Sequence, residues 1–147
     1  MSLNESSLAS TLHIPGEGWD NVLPQEVLTR LKRQHPNILV VGPAAFVHAA
    51  LRSIEPLVPQ PIFSWRPYEA RGVPADSYAT LVIHRVDTAD ADQQRQLCDW
   101  FDTRPRHIQV VSTALAPLYP FVENGTFLEA LYYRLNHVSL ISDRLHD

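Results

Sequence analysis

A chain of 147 residues with 45% hydrophobic content can bury one domain-sized core, and 19% charged residues is too few for a disordered tail. A net charge of −4, with its 12 Lys and Arg residues dispersed, argues against direct DNA binding. The single cysteine, Cys98, excludes an internal disulfide, and no apolar run approaches the ~20 residues of a membrane span.

Residues 1–20 are polar and carry the turn cluster Pro15-Gly16-Glu17-Gly18, so a loosely ordered N-terminal arm is expected there. No basic stretch followed by an apolar block marks a signal peptide, and the expected location is the cytoplasm. Residues 21–147 read as a single α/β domain. Leu23, Val27, Leu28 and Leu31 recur at helical spacing, Pro24 suits a first turn, and Pro36-Asn37 ends the helix. Arg30, Lys32 and Arg33 form its solvated end.

Five short apolar runs follow: ILVV (38–41), PIFSW (61–65), TLVIH (80–84), IQVVS (108–112) and HVSLI (137–141). The first, third and fourth are nearly continuous and β-branched, the signature of strands buried on both faces. Helical segments are expected between them at Ala44–Ile54, Asp90–Phe101 and Thr126–Leu135. Alternating strands and helices predict a parallel sheet covered on both faces.

Ligands of open α/β sheets bind beyond the carboxyl ends of the strands. Here that edge offers Gly42-Pro43, Trp65-Arg66, His84-Arg85 and Thr113-Ala114. The run ending at Gly42 stands where a phosphate loop, G-x-x-x-x-G-K-[ST], would begin. Val47 occupies its second glycine, His48 its lysine and Ala49 its hydroxyl. Pro43 removes a backbone N–H that would face a phosphate. The plain alternative is an ordinary helix N-terminus. His84 and Arg85 stand where an ATPase holds its magnesium ligand and water-orienting acid, and they carry the wrong sign for a cation. Seven scattered histidines lack any metal-binding spacing, so no metal is expected. Cys98 reads as packing beside Leu97, and no G-x-S-x-G elbow is present.

The stretch Glu123-Asn124-Gly125-Thr126-Phe127-Leu128-Glu129-Ala130-Leu131-Tyr132-Tyr133-Arg134-Leu135-Asn136-His137-Val138 resembles G-x-F-R-x-D-L-Y-Y-R-L-N-x-V. That stretch marks the AAA+ core of the sigma-54-dependent (NtrC-type) transcriptional activators. In register with it, Ala79 to Arg85 resembles the family's Walker B strand G-T-L-F-L-D-E. Gln93-Gln94 through Leu97 resembles the helix L-Q-x-x-L-L, and Ile108 to Leu118 the sensor strand. Ile38 to Ala49 then falls on the Walker A strand and loop. The resemblance spans residues 22–142, most closely in the last third.

This resemblance implies a three-layer P-loop NTPase-like core with a five-stranded parallel sheet, order 5-1-4-3-2, lacking the helical lid. The departures from the family pattern are chemical. The Walker A lysine, both Walker B acids and the sensor asparagine, at or beside Leu115, are replaced. The first interface arginine falls on Leu128, the sigma-factor loop G-A-F-T-G-A is absent, and there is no DNA-binding helix-turn-helix. The expectation is a catalytically inactive module without cofactors, linked to bacterial transcription control and binding a protein partner, either itself or an AAA+ activator. Tyr132, Tyr133 and Arg134 are the candidate interface; the plain alternative is that Tyr132 or Tyr133 packs against the sheet and Arg134 bonds a nearby carboxylate or the C-terminal strand. Gly42, His48, Ala49, His84 and Arg85 mark the degenerate nucleotide site. A second reading makes His48, Arg66, His84 and Arg85 a pocket for an anion or nucleotide without turnover. A third is an enzyme using His84 as base.

Overall fold

The computed structural model describes residues 10–14, 25–74, 78–103 and 108–143. Its strands are β1 (Ser10–Ile14), β2 (Ile38–Val41), β3 (Ile62–Trp65), β4 (Thr80–Ile83), β5 (Gln109–Ala114) and β6 (Val138–Ser142). The helices are α1 (Gln25–Gln34), α2 (Ala44–Ile54), α3 (Ala91–Thr103), α4 (Tyr119–Glu123) and α5 (Glu129–Leu135). All strand pairs are parallel, in one sheet of order β1-β6-β2-β5-β4-β3.

The expected five-stranded sheet is therefore corrected to six strands. The added strand, β1, comes from the stretch read as a loose arm. Its pairing runs in register from Ser10↔Val138 to Ile14↔Ser142, and Asp143 N–H donates to the Ile14 carbonyl at 2.9 Å. The cause is a period-two pattern: Leu12 and Ile14 turn inward while Thr11 and His13 are exposed. Pairing with β1 also satisfies the outer edge of β6. The rest of the expected arm, and Pro24, lie outside the described residues.

The apolar runs are continuous because each strand feeds two cores. In β2, Ile38 and Val40 face a core with Val27 and Leu31 of α1 and Phe46, Ala50 and Ile54 of α2. Leu39 and Val41 face the opposite core, with Leu97 of α3 and Leu131 and Leu135 of α5. The sheet is thus the middle of three layers, and each fully buried Leu, Ile or Phe contributes about 1.5–3 kcal/mol.

Buried amides fix the joints between layers. Asn37 is 4% exposed. Its Nδ2 donates to the Arg134 carbonyl at 2.9 Å, and its Oδ1 accepts from the Val110 N–H at 2.9 Å. Asp90 and Gln93 cap α3 reciprocally: Asp90 Oδ1 accepts from Gln93 N–H at 2.8 Å, and Gln93 Oε1 accepts from Asp90 N–H at 3.0 Å. Gln94 Nε2 donates to the Ala89 and Thr126 carbonyls, and its Oε1 accepts from Leu128 N–H. The helix expected from Thr126 begins at Glu129 instead. Thr126 N–H and hydroxyl both turn to Asn124 Oδ1, and Leu128 is extended at ψ 127°.

Candidate functional site

Gly42 N–H donates to the Ala114 carbonyl at 3.1 Å, and Val47 N–H donates to the Pro43 carbonyl at 3.0 Å. Helix α2 thus starts at Ala44, only two residues past β2. The positions that would form a phosphate loop are its first turns. The Phe46 ring is fully buried against Gly42, where a Cβ would lie 2.7 Å from Phe46 Cδ2 and 2.8 Å from Ser142 Cβ. Only glycine fits between that ring and β6. His48 is exposed, and Ala49 packs half-buried against the α1–α2 core.

At the end of β4, His84 N–H donates to the Trp65 carbonyl at 2.8 Å. The next residue, Arg85, is left-handed at φ 57° and ψ 57°. Its N–H donates to Thr113 Oγ1 at 2.9 Å, which ties the β4 turn to β5. The guanidinium forks onto Asp87, with Nε to Oδ1 at 3.0 Å and Nη2 to Oδ2 at 2.9 Å. That hydrogen bond holds the Arg85 pKa above its usual value. Arg85 is thus a neutralised pair with Asp87.

These turns enclose a cleft of about 290 Å³. Helix α2 contributes Ala44, Val47, His48 and Leu51, and Arg66 and Tyr68 come from the turn after β3. His84 and Arg85 follow β4, and Thr113, Ala114 and Leu115 close the end of β5. The cleft therefore gathers His48, Arg66, His84 and Arg85 in one place. Burial, and then the Arg66 charge, hold the His84 imidazole below its ordinary pKa, with Glu69 opposing. His84 Nε2 is withdrawn from water and has no hydrogen-bond partner. Thr113 was named in the sequence only as a strand end, and Tyr68, in a turn without a motif, was not singled out.

The aromatic segment lies elsewhere, on the α4–α5 side of the sheet. Tyr132 is half-buried and packs against the α3–α5 core. Arg134 turns back to α3: its Nη2 meets Asp102 Oδ1 at 2.5 Å, its Nη1 donates to the Cys98 carbonyl at 3.4 Å, and it lies 5.8 Å from the Phe101 ring centre. Only Tyr133 of the three candidate interface residues stands out, at 45% exposure. Further large apolar side chains are open to solvent: Tyr119 and Phe121 on α4, Leu128 just before α5, and Leu115 at the cleft. The Tyr119 and Tyr132 rings are 5.5 Å apart, and the Tyr132 and Tyr133 rings 5.2 Å. Tyr119 and Phe121 belong to a short helix that the prolines around it made illegible.

Burial pushes the Cys98 thiol pKa up, against the Arg134 charge, which is unfavourable for a nucleophile. Among the described residues no group of three or more His, Cys, Asp or Glu could hold a metal ion, and no helix is long and apolar enough to cross a membrane.

No protein-family model and no curated protein matches the chain. Solved structures do. NtrX from Brucella abortus in complex with ATP superposes with a TM-score of 0.58 at 16% identity, over 80% of this chain and 34% of that one. A second crystal structure of the same protein gives 0.57 at 14% identity, over 80% and 35%. Its complex with ADP gives 0.53 at 16% identity, over 80% and 36%. The chain shares the fold of NtrX and spans about a third of its length.

Proposed function

We propose that this chain is a catalytically inactive, AAA+-like module that works in the cytoplasm by binding protein, as part of bacterial transcription control. The observation that carries the reading is the exposed aromatic and aliphatic surface on α4 and α5. Tyr119, Phe121, Tyr133 and Leu128, the residue just before α5, are each about two-fifths exposed, from 38% to 45%. Exposed apolar clusters of this kind mark protein contacts, and tyrosine is a frequent anchor in them. Leu128 and Tyr133 lie within the segment that resembles the NtrC-type activators, and the fold shared with NtrX supports that resemblance.

Loss of hydrolysis is supported by chemistry and by geometry together. The positions of the lysine, the magnesium ligand and the water-orienting acid carry His48, His84 and Arg85, so phosphoryl transfer would lack both positioning and charge stabilisation. The immediate start of α2 leaves no loop of N–H groups to wrap a phosphate. The partner is either a second copy of the chain or an AAA+ activator.

The test joins two measurements. Light scattering over a hundredfold concentration range, alone and with an NtrC-type AAA+ domain, should show association that Tyr133→Asp abolishes. Hydrolysis of MgATP should stay at background. A monomer that ignores such a domain, or turnover above background, removes the reading.

A further inference from the structure

The cleft at the carboxyl edge of β3, β4 and β5 has a composition that the protein-binding reading does not use. Its charged liners are Arg66, Arg85 and the two histidines, with no carboxylate among them. Arg85 is spent on Asp87. The Arg66 guanidinium makes no hydrogen bond or ion pair among the described residues. Thr113 is 2% exposed, and its Oγ1 accepts the Arg85 N–H, which leaves the hydroxyl proton to donate. A guanidinium without a partner among the described residues and a hydroxyl with a proton left to donate, both lining one cleft, supply donors for an oxyanion. The remaining walls are Ala44, Val47, Leu51, Ala114 and Leu115, with Tyr68 at the rim.

We infer that this cleft binds a small carboxylate with an apolar body, held by Arg66 and Thr113 at its charged end and by the α2 face at the other. Two observations set the class. The volume lies at the lower end of the ~300–1,000 Å³ of small-molecule sites, which suits a small acid better than a nucleoside triphosphate. The apolar walls leave an inorganic anion half-solvated and poorly held, whereas an aliphatic or aromatic acid covers them. No residue of α4 or α5 lines the cleft, so this inference holds or falls independently of the proposed function.

The test is an amide NMR titration of the whole chain at constant ionic strength with benzoate, hexanoate, inorganic phosphate and MgATP. Benzoate or hexanoate should give saturable shifts at Arg66, Thr113 and Ala114, more tightly than phosphate or MgATP. Arg66→Gln should weaken binding at least about tenfold, the effect of losing one charge-assisted hydrogen bond. Ala44→Trp, on an exposed helix position, should block the cleft and remove the shifts. Spectra of both variants away from the cleft report that the fold is retained. The inference is overturned if neither acid saturates, if phosphate or MgATP binds as tightly as the acids, or if both variants respond like the parent.

Discussion

Gly42 and Phe46 meet so closely that a single methyl on Gly42 would lie 2.7 Å from the Phe46 ring. The other neighbour, Ser142 Cβ at 2.8 Å, is attached directly to β6 and cannot swing away. Gly42→Ala should therefore destabilise the protein by about 1–3 kcal/mol, the usual cost of overpacking. Urea denaturation would read this as a lower midpoint at unchanged slope. A midpoint within error of the parent would mean that β2 and β6 move apart easily.

The same contact bears on nucleotide. Restoring the phosphate-loop residues with Val47→Gly, His48→Lys and Ala49→Thr should not restore ATP binding, because α2 already occupies the loop and Phe46 fills the space behind Gly42. Calorimetry with millimolar MgATP should remain flat. A binding isotherm from the triple variant would show that the helix start unwinds readily.

Asn37 gives a sharper stability test. Asn37→Ala strands the buried Val110 N–H and leaves the Arg134 carbonyl without this donor. Each lost buried partner costs about 1–3 kcal/mol, so a loss of roughly 2–4 kcal/mol is expected. Asn37→Asp keeps an acceptor for Val110 but sets a carboxylate oxygen against the Arg134 carbonyl, and it should not rescue. Rescue by Asp would assign the whole effect to the Val110 bond.

His84 sets a pH dependence. In the unfolded chain its imidazole titrates near 6.5, and in the fold burial and Arg66 lower that value. Below pH 6.5 the unfolded chain takes up a proton that the native state resists. Stability is therefore retained above that pH and lost as pH falls from there toward the folded pKa. His84→Leu should flatten this part of the curve below pH 6.5. Parallel curves for parent and variant would assign the slope to other groups.

Arg134 should behave as a clamp between α5 and α3. Its pair with Asp102 is largely solvent-exposed, and the Phe101 contact adds little, so Arg134→Ala should cost only about 1 kcal/mol. Association should be unchanged, in contrast to Tyr133→Asp. An Arg134→Ala variant that folds normally but no longer associates would move Arg134 to the interface.

What the sequence disclosed and withheld follows from how each element is buried. Strands β2, β4 and β5 have both faces in a core, so their residues are apolar without a gap and easily seen. The helix Ala44–Ile54 shows its stripe in full for the same reason. β1 sits at an edge and alternates apolar with polar residues, which a turn-rich neighbourhood conceals. The cleft was legible only as a list of strand-end residues. His48, Arg66, His84 and Arg85 could be named, but not the pairing of Arg85 with Asp87, because a left-handed backbone at an arginine has no sequence signal. For Arg134 the sequence left open an interface anchor or a bond to a nearby carboxylate; its motif does not reveal that Asp102 and Phe101 lie one helix away.

The parallel pairing of β1 with β6 orders events in time. Ser10 can meet Val138 only after nearly all the intervening chain has left the ribosome. Until then β1 has no partner, while β2 to β5 can already collect their helices. The edge strand is the longest-range closure in the sheet, and such closures form late and slowly. A nascent chain halted before residue 138 should leave its first strand open to proteases, and completion of β6 should seal it.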